Sequence, residues 1–156
     1  MKTTIALLLT LFSLSTFANS YPLHPDPRLT PGSLCDEPDR FRYPENIAYC
    51  EREVSPFLKA EIFKAYRSQL GYSIPGHRKN YKIDHFIPLC AGGSNHQNNL
   101  WPQHKSIYTI TDPIEFLGCQ KLAKGLIDQQ DLINQIYYVK MNTALAPQIL
   151  NYINSK

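Results

Sequence analysis

Asp84, His85, Asn99 and His104 fall within one short stretch of the chain, and together they carry the groups that phosphodiester hydrolysis demands. That reaction needs a water nucleophile, a base to deprotonate it, positive charge against the developing phosphorane, and stabilisation of the leaving 3′ oxygen. A histidine suits the base near neutral pH, because its unperturbed pKa lies close to 6.5. A divalent cation held by a carboxylate and neutral side chains neutralises phosphate and leaving group together. An Asp-His dipeptide alone is common and usually marks only a turn or a surface strand. Here it is followed in register by Pro88-Leu89, Gly92-Gly93-Ser94 and Asn99-Leu100, with Asn98 a competitor for the middle position and Asn95 a further rival.

These residues need a scaffold. Tyr81 to Phe86 has strand composition, ended or bent by Pro88. Gly92 to Asn95 reads as a loop and Asn99-Leu100-Trp101 as a short second strand. A helix follows from Gln103, interrupted near Asp112-Pro113 and resumed from Pro113 to Ala123. The layout is a ββα unit in which His104 opens the helix. Successive strand residues face opposite ways, so Asp84 and His85 reach one phosphate only if the strand ends, twists or bulges there. Trp101 reads as core between strand and helix.

The Asp-His pair, the Pro-Leu and Gly-Gly-Ser behind it, and the Asn-Leu before a final His resemble the HNH, or His-Me finger, nucleases, in particular small exported bacterial proteins with an Asn-Leu-Trp-Pro segment. The resemblance covers Tyr81 to Lys105. It implies an α+β fold with a ββα-metal core, additional surrounding helices and one divalent metal ion, Mg²⁺ before Mn²⁺ or Zn²⁺. By position it makes His85 the general base, Asp84 a metal ligand, Asn99 the residue that orients the base, and His104 the second ligand. The final His follows the Asn more closely than in many members, and their cysteine pair is absent. His104 as a plain residue at a helix N-terminus therefore stands beside His104 as a ligand.

The rest of the chain sets the context. Lys2, the apolar run from Ile5 to Leu14 and the small residues after Phe17 are laid out as a secretory signal peptide over residues 1–20, cleaved after Ala18 or Ser20. This predicts a secreted or periplasmic protein with no membrane anchor in its mature form. In an oxidising compartment the 4 cysteines read as a disulfide framework. Of the three pairings, Cys35–Cys50 and Cys90–Cys119 close the shortest loops between sequence neighbours. No CxxC occurs, which disfavours a thiolate zinc site.

Residues 21–50 form a proline-rich arm with little regular structure, and residues 51–156 the nuclease domain with its C-terminal helices. Ser55-Pro56 and the spacing of Leu58, Ile62, Tyr66 and Leu70 predict a helix from Pro56 to about Leu70, stopped by Gly71. Further helices are expected over Asp128 to Met141 and from Pro147. Net charge is only +3, but six basic residues lie between Lys64 and Lys105 against the single acid Asp84. Arg67, Arg78, Lys79, Lys82 and Lys105 are the candidate phosphate contacts, suited to DNA and to RNA as a second substrate. A non-catalytic module that binds nucleic acid on the same scaffold is the competing reading.

Overall fold

The computed structural model describes residues 21–75 and 79–156. The expected signal peptide, His77 and Arg78 lie outside the described residues.

The fold is mixed α+β. An antiparallel hairpin is formed by Arg40–Arg42 (β1) and Ile47–Tyr49 (β2), and a second by Tyr81–His85 (β3) and Leu100–His104 (β4). Four helices accompany them: Pro56–Leu70 (α1), Lys105–Ala123 (α2), Gln129–Met141 (α3) and Ala146–Asn154 (α4). β3, β4 and α2 run consecutively in the chain apart from the loop between the strands.

α1 begins and ends where its sequence signals lie. The Ser55 hydroxyl accepts from the Leu58 N–H at 3.1 Å, Pro56 fills the first turn, and Gly71 closes the helix at φ 74°. Its buried face, Ile62, Phe63 and Tyr66, packs with Ile83, Leu100, Trp101 and Ile107. A second core joins α2, α3 and α4 through Ile114, Leu122, Leu132, Ile136, Val139, Ile149 and Ile153. α1 and α2 both pack against β4, and Lys140 of α3 reaches Asp84 on β3.

Two expectations are corrected here. α2 runs unbroken through Pro113, where an interruption was expected. Proline inside a helix costs about 3 kcal/mol, but Ile107, Thr111, Ile114, Gly118 and Leu122 form a buried stripe on both sides of it. Gln103 also donates to the Thr111 hydroxyl at 2.9 Å, so packing keeps the helix continuous across the missing hydrogen bond. The proline-rich arm is likewise more regular than expected. It contains the β1–β2 hairpin, and its residues 30–35 are strapped across the loop after β3. Gly32 N–H donates to Asn98 O, Cys35 N–H to Gly92 O and Ser94 N–H to Ser33 O, at 2.8–3.0 Å. Thr30, buried, bonds Tyr66 and the Leu100 carbonyl.

The disulfides are Cys35–Cys50 and Cys90–Cys119. The first joins the strapped part of the arm to the residue after β2, and the second joins the turn after β3 to α2. No described helix is long and apolar enough to cross a membrane.

A candidate active site at the end of β3

β3 and β4 are in regular antiparallel register from Tyr81↔His104 to His85↔Leu100. No bulge separates Asp84 from His85, so the two side chains meet different partners. This answers the geometric tension raised by the sequence: the pair does not converge on one point.

His85 is 3% exposed. Its Nε2 lies 3.0 Å from Asn95 Oδ1, while Asn95 Nδ2 donates to the Glu51 carbonyl at 2.6 Å. With the amide fixed by that second bond, its oxygen can only accept, so Nε2 carries the proton and Nδ1 the lone pair. Nδ1 has no hydrogen-bond partner among the described residues, and it is not one of the enclosed unpartnered atoms. It is the atom left to meet a water. Burial, with help from nearby Arg52 and Lys140, lowers the imidazole pKa to about 4 against the pull of Asn95 and Asp84. The ring is therefore neutral at pH 7.

A lowered histidine pKa is a statement about stability. The unfolded chain binds the proton more readily, so His85 stabilises the fold above about pH 6.5 and that contribution is lost as pH falls toward 4. The full difference is about 3 kcal/mol. Unfolding of wild type and His85→Gln across pH 4–8 checks this: wild type is expected to lose about 3 kcal/mol more than the variant on acidification. Parallel curves would rule it out.

Asp84 is enclosed on the other side. Its Oδ2 accepts from Lys140 Nζ at 2.9 Å, and Oδ1 lies 3.1 Å from Lys82 Nζ. Burial pushes its carboxyl up, but the two ammonium groups together outweigh burial and hold it below the usual range. Lys140, 0% exposed, also sits 2.8 Å from Glu115 Oε2, outside hydrogen-bond angles, and donates to the His85 carbonyl at 2.5 Å. Burial would lower its pKa, but the carboxylates of Asp84 and Glu115 raise it, so it stays charged. Burial raises Glu115, only partly offset by Lys140.

Asn99 does not touch the His85 ring. Its side chain bridges the loop that follows: Oδ1 accepts from Ile87 N–H at 2.8 Å, and Nδ2 donates to Ile87 O and Ser94 O at 3.0 and 2.9 Å. The residue that orients His85 directly is Asn95, the rival the sequence ranked lower. Asn98 bonds Ser33 instead.

His104 lies opposite Tyr81, at the far end of the hairpin. Four strand residues, about 13 Å, separate that end from His85. There its Nδ1 accepts from the Ser106 N–H and caps α2, and its ring stacks on Tyr21 at 4.0 Å. The hairpin register thus withdraws it from any shared ligand set with Asp84. Among the described residues no group of three or more His, Cys, Asp and Glu side chains converges as a metal site. The donor set expected for Mg²⁺ does not fit: both Asp84 oxygens already face ammonium groups, and His104 is elsewhere.

The expected phosphate contacts separate. Arg67 turns inward, donating to Ile74 O and Pro75 O, and holds the turn after α1. Lys79 and Lys105 are exposed near the His104 end. Lys82 pairs with Asp112 at 2.7 and 2.8 Å as well as with Asp84. In their place the structure brings Arg52, which the sequence did not single out. Its guanidinium donates to Ile83 O at 3.1 Å, and it lines a shallow groove with Lys59, Phe63, Tyr81, Lys82 and Ile83. Among the described residues neither Arg52 nor Lys59 has a carboxylate within 4.0 Å. Trp101 is fully buried core.

Comparison with protein-family profiles, with curated proteins and with solved structures finds no match.

Proposed function

We propose that this protein is an exported phosphodiester hydrolase of the HNH type, a largely non-sequence-specific endonuclease acting on DNA and secondarily on RNA. The observation that carries the reading is the bond from His85 Nε2 to an Asn95 amide itself held by Glu51, at the end of β3, which leaves Nδ1 without a hydrogen-bond partner among the described residues and Arg52 nearby. His85 Nδ1 takes a proton from water as the water oxygen bonds to phosphorus. The bond from phosphorus to the 3′ oxygen breaks, and solvent protonates the leaving oxygen. Arg52 and Lys59 neutralise the phosphate in the groove along β3. The histidine's low basicity limits its drive as a base but keeps it unprotonated in mildly acidic surroundings.

The competing reading, a non-catalytic nucleic-acid-binding module, is favoured by one observation, the commitment of Asp84 to two lysines. Incubating the protein with plasmid DNA and with RNA, in Mg²⁺ and in chelator, separates the two. Cleavage in either buffer is expected; intact substrate in both, with retained binding, leaves only the binding module. Arg52→Ala is expected to weaken DNA binding roughly fivefold at low salt and to reduce the salt-dependence slope by about 0.9. Fluorescence anisotropy over a salt series reads both, and an unchanged slope removes Arg52 from the interface.

A further inference from the structure

We propose that Lys140 is a resident cation: its ammonium fills a carboxylate pocket beside β3 that would otherwise hold a divalent metal ion. Three oxygens surround Nζ, from Asp84 at 2.9 Å, Glu115 at 2.8 Å and the His85 carbonyl at 2.5 Å. Two carboxylates and a backbone carbonyl are the hard oxygen donors that Mg²⁺ and Mn²⁺ prefer, and Mg²⁺ sites often use only one or two carboxylates with water completing the shell. These donors come from two elements, β3 and α2, and the ammonium reaches them from a third, α3. The one positive centre they share is delivered by the chain itself.

The ammonium cannot share the pocket with a metal ion. Lys140 is fully buried, and its side chain has no exposed surface through which to swing aside. A metal entering the pocket would face a like charge at contact distance, or would strand a buried ammonium without a partner. Lys82 closes the other approach to Asp84, from Asp112. Because Nζ also holds the His85 carbonyl, Lys140 fixes the strand end from which the base projects. It is a positioning residue and touches no substrate.

The cation claim stands independently of hydrolysis; only its consequence for cleavage rests on the function proposed above. The test is thermal unfolding of the full chain in EDTA and in 1 mM MnCl₂, with Mn²⁺ binding followed by equilibrium dialysis. Wild type is expected to bind no Mn²⁺ at this pocket and to shift its Tm by less than about 1 °C. Lys140→Met keeps the stem and removes the charge. It is expected to lose roughly 10 °C in EDTA, to recover at least half of that in Mn²⁺, and to bind about one ion per chain. Adding Glu115→Gln to Lys140→Met should abolish the recovery. If Lys140→Met does not fold in EDTA, its refolding yield with and without Mn²⁺ carries the same comparison, and equal yields overturn the proposal. Stoichiometric Mn²⁺ on wild type, lost in Asp84→Asn, overturns it as well. Cleavage by wild type at the same rate in EDTA and in Mg²⁺ supports the resident cation. Loss of cleavage in EDTA alone overturns it while hydrolysis stands, and the absence of cleavage in every buffer counts only against the hydrolase.

Discussion

Replacing His85 with alanine is expected to lower the rate of DNA cleavage by about 10²–10⁴-fold, the usual contribution of a positioned general base. The expectation rests on a chain of bonds and not on the residue type alone. The Glu51 carbonyl fixes the Asn95 amide, the Asn95 oxygen fixes the proton on Nε2, and the lone pair is left on Nδ1. Alanine removes the acceptor and leaves the Asn95 oxygen without its donor. Single-turnover cleavage of plasmid DNA by wild type and variant measures the effect, with circular dichroism confirming that both are folded. A variant that cuts within about threefold of wild type would falsify the assignment of the base. Asn95→Ala gives a graded companion result. It should leave His85 present but free to take either tautomer, so a smaller loss is expected, about tenfold, on the scale of removing an orienting partner. An equal loss in both variants would mean that Asn95 and His85 act as one unit.

What the sequence revealed depended on whether the governing interactions were local. α1 was legible because Ser55, Pro56 and Gly71 act within a turn of their own positions. The two disulfides followed from sequence proximity. His104 was legible as the residue that opens α2, but its distance from Asp84 was not, because hairpin register fixes it opposite Tyr81. Pro113 misled for the opposite reason, since a local helix breaker was overruled by packing on both sides. The β1–β2 hairpin gave no alternating pattern to read, being only three residues per strand.

The candidate site shows the same division. The motif residues His85 and Asn99 are in the sequence stretch where they were sought, but the loop geometry decides that Asn95 holds the ring and Asn99 the backbone. Arg52 arrives from the charged run before α1, with no periodicity to mark it. Lys140 did leave a signal. It follows Leu132, Ile136 and Val139 on the buried stripe of α3, where a charged residue implies a buried partner. The identity of that partner, more than fifty residues earlier, could not be read from α3 alone.

Gly93 is the position where the motif and the fold depend on the same atom. A Cβ built there would lie 1.9 Å from the Ile87 carbonyl oxygen and 2.9 Å from Asn99 Nδ2. Both are backbone or buried groups, and neither is the mobile end of a long side chain. The Gly93 N–H already donates to Pro88 O at 2.9 Å, and Gly93 bridges to Leu34 of the arm, so the loop cannot move outward without releasing the strap. Gly93→Ala is therefore expected to destabilise the protein by more than about 4 kcal/mol, in the range reserved for disrupted cores. That corresponds to a fall in Tm of roughly 15 °C. Gly71→Ala supplies the contrast: nothing lies within 4 Å of its Cβ, and only the left-handed φ of 74° is strained. Its expected cost is about 1 kcal/mol. Denaturant unfolding of both variants measures the difference. Because Asn99 clamps the loop at Ile87 and Ser94, the Gly93 variant should also lose cleavage at temperatures where it is still folded, while Gly71→Ala should not. Similar unfolding midpoints for the two would show that the loop yields at Gly93, and that the close approach of Ile87 does not set the geometry around His85.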